Sequence, residues 1–242
     1  MRNIIKRIVE ISYKSKEGHI ASSLSVLDII YVFYKNKSND NLILSKGHAS
    51  LGLYVILNHF NLLEYDLDEF CKFDGHLGGH PSDKIKNIIA STGSLGHGLP
   101  IGIGISLGNK IQHIDSNTYV IIGDGESNEG TIWESALLAS HHKLNNLYCI
   151  MDYNHSGDRA LKIDDVSEKF KSFGWFCLEI DGHNHEEILN SLNIKSDKPI
   201  FILANTTKGN GIKMMENNPE WHHKSPTSEE YKEILKEICE NN

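Results

Sequence analysis

Residues 119–135 read YVIIGDGESNEGTIWES, and the architecture can be worked out from them. A short run from Tyr119 to Ile122 is dominated by β-branched residues. It breaks into glycines and then into a helix-forming segment, TIWESALLASHHKL. That order, strand then turn then helix, is the unit of a parallel sheet. The same grammar recurs downstream. NLYCIMDYN reads as a buried strand, and so do FCLEIDGH and PIFILANTTKG, with NHEEILNSLNI as a helix between the last two. Strands alternating with helices imply parallel crossover units. The expected fold class is therefore α/β, a doubly wound, mostly parallel sheet with helices on both faces. Each strand run ends in glycine or polar residues: GDG, DYN, DGH and TTKG. Ligands of such sheets bind outside the carboxyl ends of the strands. Asp124 and Asn154 follow two strands joined by one crossover helix, so they are expected to be neighbours there.

Upstream of this unit the chain reads as helical. Ile4, Ile5, Ile8 and Ile11 recur at helix spacing, with Gly18 as the stop signal. SLSVLDIIYVFYKN and ASLGLYVILNHFNLL read as a second and a third helix. The longest stretch free of Asp, Glu, Lys and Arg runs from Asn87 to Asn109. Its length would allow a membrane span. Its glycines, its polar start and Pro100 read instead as a loop followed by a buried helix, packed closely through Gly98, Gly102, Gly104 and Gly108. TSEEYKEILKEICENN closes the sequence as an amphipathic helix, with Thr227 and Glu230 at capping-box spacing.

The 242 residues carry no repeat and no compositional break that marks a linker, so residues 1–242 are read as one domain. The formal charge of -8 argues against nucleic acid and against anionic membrane surfaces as partners. Cys71, Cys149, Cys177 and Cys239 form no CxxC pair and match no zinc spacing. With no secretory signal at the N-terminus, they read as reduced thiols of a cytoplasmic protein.

The turn after the 119–122 run poses a chemical problem. Its glycines suit a phosphate, yet it carries Asp124, Glu126 and Glu129, which repel one. A hard cation resolves the conflict. Asp and Asn oxygens at adjacent strand ends, with a backbone carbonyl and water, suit Mg²⁺, and the cation would bridge Asp124 to a diphosphate. A turn bearing solvated carboxylates is the plainer alternative, and spacing alone leaves it open. The GDG triplet matches neither GxGxxG nor GxxxxGK[ST], so a nucleotide site is the weaker reading. Among the fourteen histidines, His19, His48 and His80 each adjoin glycine, in EGH, KGH and GGH. Such loops suit a cleft better than a core, and imidazole suits proton transfer and hydrogen bonding to sugar hydroxyls. His141 and His142 read as a solvated helix surface, His183 and His185 as turn residues. Trp133 and Trp175 read as core or interface anchors.

GDGESNEGTIWESALLASHHKLNNLYCIMDYN resembles the thiamine diphosphate signature, and more narrowly its transketolase form. The resemblance extends in order through EGHIASSLSVLDI, LSKGHASLGLY, GGHPS, STGSLGHGLPIGIGISLG, FGWFCLEIDGHN, TTKGNGI and WHHKSP. It implies thiamine diphosphate and Mg²⁺ as cofactors, with Ca²⁺ or Mn²⁺ able to replace the magnesium. Asp124, Asn154 and the carbonyl of Ser156 would hold the metal. Gly123, Gly125 and Glu126 would lie at the diphosphate, with the Gly125 amide donating to it. His48 would face the cofactor, and Gly93, Ser94 and Leu95 would lie against the aminopyrimidine. His19, His48, His80 and His222 would serve catalysis on the sugar, and Glu129 an acidic network joining paired sites. Three departures stand near the pyrimidine or sugar pocket: His97 where many transketolases have Gln, EGHIASSLS without the glycine-rich continuation, and DYNHSGDRAL after the metal Asn. They put the sugar specificity in doubt.

The resemblance covers the first third of a single-chain transketolase. It implies an N-terminal subunit of a split enzyme that moves a two-carbon ketol unit from a ketose, such as a ketose phosphate, to an aldose. A C-terminal subunit carrying the pyrimidine-binding domain would be its partner, in a heterotetramer. A 1-deoxyxylulose-5-phosphate synthase, the first component of a 2-oxoacid dehydrogenase, or a non-catalytic cofactor-binding subunit are the alternatives.

Overall fold

The structure is a computed structural model that describes residues 1–37 and 39–240. Five strands form one sheet: β1 (Asn41–Leu44), β2 (Thr118–Gly123), β3 (Leu147–Tyr153), β4 (Phe176–Asp181) and β5 (Ile200–Asn205). Their order is β1-β2-β3-β5-β4, and every pairing is parallel. Eight helices accompany them among the described residues: α1 (Arg2–Ser15), α2 (Ile20–Asn36), α3 (Ser50–His59), α4 (Gly98–Gln112), α5 (Gly130–His141), α6 (Val166–Ser172), α7 (His185–Leu192) and α8 (Ser228–Glu240).

Side chains alternate across each central strand and feed two cores. Tyr119, Ile121, Tyr148, Ile150 and Ile202 join the core built with α1, α2, α3, α7 and α8. Val120, Ile122, Cys149, Met151 and Phe201 join the core built with α4, α5 and α6. A parallel sheet covered on both faces has this signature, and it is why the strands read as unbroken apolar runs.

Four expectations need correction. The first third of the chain contains a strand, β1, where only helices are expected. NLIL is four residues long and sits at a sheet edge, too short for its periodicity to register. The first helix ends before Gly18: Lys16 takes the left-handed cap conformation at φ 61°. Gly18 is small for another reason, because a Cβ there would sit 2.5 Å from the Lys224 backbone. The second helix starts at Ile20, earlier than expected, and the third ends at His59. Finally, α4 is buried on one face only. A Cβ on Gly98 would meet Ser45 and one on Gly102 would meet Val120, but Gly104 faces open space and Gly108 nearly so. The capping box holds as expected: Thr227 N donates to Glu230 Oε2 at 2.8 Å and Glu230 N to Thr227 Oγ1 at 3.2 Å. Asn241 and Asn242, the end of that expected helix, lie outside the described residues.

Candidate active site

The parallel register aligns Gly123 of β2 with Asp152 of β3. Asp124 and Asn154 therefore leave the sheet side by side. What brings their turns into contact is a pair of glycines. A Cβ on Gly157 would lie 2.7 Å from the Gly125 Cα and N, so no larger residue fits between the two turns. Gly157 N donates to Asp124 Oδ2 at 3.1 Å across this contact, and Gly125 N donates to Asp124 Oδ1 at 2.7 Å. The Asn154 carbonyl oxygen Oδ1 accepts from Ser156 N at 3.1 Å.

Around these turns lies a cleft of about 440 Å³, lined by Asp124, Gly123, Gly125, Glu126, Asn154, Ser156, Gly93, Leu95, His19, His48, His80 and His222, and also by Ser22, Lys46 and Lys208. Nearly all the residues expected at the site thus converge at the carboxyl edge of the sheet. Ser94 and Glu129 are the exceptions: both are exposed and neither lines the cleft. Glu126 lines it but turns its carboxylate inward. Oε1 accepts from Gly96 N at 2.8 Å and from the Ser45 hydroxyl, and Oε2 from Gly123 N at 3.0 Å. Its oxygens brace the GDG turn, which makes it a support of the cleft wall.

The electrostatics fit a cation. Asp124 is 9% exposed, and burial pushes its carboxyl above the usual range although two backbone amides favour the charged form. Asp152 beside it pushes in the same direction. A positive charge placed against Asp124 would relieve that penalty. Among the described residues no three His, Cys, Asp or Glu side chains cluster as a metal centre. The candidate ligands, a carboxylate, an amide oxygen and a carbonyl, instead suit a hard cation that shares its coordination with phosphate oxygens and water.

His48 and His19 are held in their neutral form. Burial pulls His48 down to about 2 and His19 to about 4, with neighbouring Lys46 acting on the first and His223 on the second. The His19 ring lies 5.2 Å from His48, 5.9 Å from His222 and 4.4 Å from His223. Its backbone sits at φ 116°, a conformation L residues rarely adopt. His80 packs on Gly93, whose φ of 142° and lack of a side chain admit the ring. At the other end Lys208, 6% exposed, is pulled down to about 8 by burial and then by Lys46. Its Nζ lies 2.9 Å from His222 Nδ1.

Ser22, Lys46, Lys208 and His223 escape sequence reasoning. The two lysines stand in KGH and TTKG, and a lysine flanked by glycine at a strand end was the available signal. His183 is more than a turn residue. Its Nδ1 meets Asp28 Oδ2 at 2.9 Å and its Nε2 accepts from Thr207 N at 2.8 Å, which ties the Lys208 loop to α2. Trp175 is a core residue, while Trp133 is half-buried against Phe170 and Phe173.

Residues 4–240 match the family described as transketolase, thiamine diphosphate binding domain. The chain belongs to that family. It is 36% identical over 97% of its length to an apulose-4-phosphate transketolase subunit of Phocaeicola vulgatus, 91% of which is covered. It is 31% identical to a 6-deoxy-6-sulfo-D-fructose transketolase subunit of a Clostridium species, with 98% of this chain and 94% of that subunit covered. Its fold superposes on the transketolase of Campylobacter jejuni with a TM-score of 0.89 at 29% identity, covering 99% of this chain but 42% of that one. The chain thus spans nearly the whole of two relatives named as subunits and under half of a transketolase solved as a longer chain. No described helix is long and apolar enough to cross a membrane.

Proposed function

We propose that this chain is the diphosphate-binding subunit of a two-subunit, thiamine diphosphate-dependent transketolase that transfers a two-carbon ketol unit from a ketose to an aldose. The observation that carries the reading is one cleft joining three hard-oxygen ligands, Asp124, Asn154 and Ser156, to Lys208 and to the neutral His19 and His48. Asp124, Asn154 and the Ser156 carbonyl would hold Mg²⁺, and Lys208 would offset diphosphate charge. Thiamine diphosphate, when bound, supplies the carbon nucleophile that carries the two-carbon unit. The chain's own residues orient and move protons. Neutral His19 and His48 can each donate or accept at a sugar hydroxyl, and His80 and His222 line the same space.

A partner subunit follows from what the cleft lacks. Asp124 and Glu126 are the only carboxylates lining it among the described residues. One faces the proposed cation and the other is engaged in three hydrogen bonds. An acid that activates the aminopyrimidine has to come from elsewhere, and a pyrimidine-binding partner would bring it. Exposed Ile101 and Ile111 on α4, with Leu137 and Leu138 on α5, are apolar side chains that such an assembly would cover. A heterotetramer, two copies of each subunit, is the proposed working form, with Glu129 at the exposed rim where paired sites would communicate. The free state of all four cysteines supports a cytoplasmic setting.

The test is to reconstitute the chain with its cognate partner, Mg²⁺ and thiamine diphosphate, and to assay ketose phosphates against pyruvate as donors. Ketol transfer from a ketose supports the reading. Turnover of pyruvate alone would move the protein to another branch of thiamine enzymes.

A further inference from the structure

At the cleft floor lies a charged pair that the proposed chemistry does not use. Asp152 is completely buried and Lys46 is 1% exposed. Lys46 Nζ donates to Asp152 Oδ2. Taking two charges out of water is unfavourable unless their remaining valences are filled, and here those of the carboxylate are filled by three more side chains, two of them from other segments. Ser25 of α2 donates to Asp152 Oδ1 at 2.6 Å, Thr206 after β5 donates to the same oxygen, and Asn154 Nδ2 donates to Oδ2 at 3.1 Å. Asn154 Nδ2 also donates to the Ser25 hydroxyl at 2.9 Å.

These contacts fix which way round the Asn154 amide lies. Both partners of its NH₂ group are acceptors, and one is the carboxylate paired with the Lys46 ammonium. Turned over, the amide would press its carbonyl oxygen against Asp152 Oδ2. In the orientation present, the NH₂ faces down into the ion pair and Oδ1 faces the turn of Ser156.

We infer that Lys46 and Asp152 are positioning residues for the cation: their buried ion pair locks the Asn154 amide with its oxygen toward the metal. The inference rests on the cation site proposed above. Neither residue touches the cation. Their contribution is preorganisation, which spares the site from rotating and reordering an amide when the metal arrives.

The experiment measures Mn²⁺ binding to the full chain in the presence of inorganic pyrophosphate, from the electron paramagnetic resonance signal of free Mn²⁺, so no turnover is needed. Asp152→Asn/Lys46→Gln removes both charges at near-constant volume. The amide introduced at position 152 can present NH₂ toward residue 154, which turns the Asn154 amide over and points its NH₂ at the metal. Affinity for Mn²⁺ is expected to fall at least tenfold while cooperative unfolding is retained. The second variant, Thr206→Val, removes one donor to Asp152 Oδ1 and leaves the carboxylate, Lys46 and Asn154 in place. Its affinity is expected to stay within a few-fold of wild type, whereas a merely structural role for the buried cluster would lower both variants together. Wild-type affinity in the first variant, or an equal loss in a folded second variant, overturns the inference. If the first variant does not fold, Asp152→Asn alone is scored in its place by the same criterion. Wild-type chain that binds no Mn²⁺ under these conditions overturns the cation site itself, a different failure from either of these.

Discussion

Asp124 and His48 show how single side chains are tuned by where they are buried. Asp124 is a carboxylate whose burial a cation would relieve. Asp124→Asn is expected to abolish the stabilisation that Mg²⁺ with thiamine diphosphate gives, while the ligand-free chain melts no lower than wild type. At a ligand concentration of about 100 Kd that stabilisation is about 2.7 kcal/mol, an upward shift of roughly 5–10 °C for a chain of this size, which thermal denaturation reads directly. His48 gives a prediction in pH. Its folded value is lowered to about 2, so below the ordinary histidine value the unfolded chain binds a proton that the folded chain refuses. The associated stability is present above pH 6.5 and is lost as the pH falls below it. Asp124 and Glu126, whose carboxyls are raised by burial, act in the opposite sense in the carboxylate range. The difference between two proteins isolates the histidine. His48→Gln should lose less stability than wild type between about pH 7 and about pH 5 in urea titrations. The glycine context marked His48 in the sequence as a cleft residue. Its neutrality could not be read there, because it depends first on burial of the ring and then on the charges of Lys46 and His19 beside it.

Helix α4 makes the clearest case among the elements. Its glycines read alike in sequence, yet they divide by face. A Cβ on Gly102 would come 2.4 Å from Val120 Cγ2, while one on Gly104 meets nothing within 4 Å. Gly102→Ala is expected to destabilise the chain by about 1–3 kcal/mol through overpacking. Gly104→Ala should stabilise the isolated chain by about 0.5–1 kcal/mol, since alanine loses less entropy in a helix. Denaturant titration of both variants checks the pair, and equal effects would remove the distinction between the faces. The period of the apolar residues was enough to find α5, α7, α8 and the central strands. It was blind to β1, because a four-residue edge strand has no period, and to the end of α1, because the left-handed cap that Lys16 adopts carries no glycine to mark it.

On the scale of the whole molecule, this chain is expected to turn nothing over alone. Purified to homogeneity with thiamine diphosphate and Mg²⁺ it should show no ketol transfer. Adding the partner should restore activity together with a shift to a heterotetramer in sedimentation. Robust turnover by the chain alone would mean that an activating acid lies within it. The strand–helix alternation, the placing of Asp124 and Asn154 at neighbouring strand ends, and the ordered motifs of a thiamine diphosphate-binding family were all legible in the order of residues. Those are local or nearest-neighbour properties: periodicity, turn chemistry and parallel connection need no distant contact. It took the folded chain to show that Glu126 turns inward, that Lys208 reaches His222 across fourteen residues of chain, and that Asp152 gathers Lys46, Ser25, Thr206 and Asn154 around one carboxylate. The last set spans residues 25 to 206, and no spacing rule links them. Their association is a property of the packed sheet edge, where three other segments must converge to satisfy one buried charge.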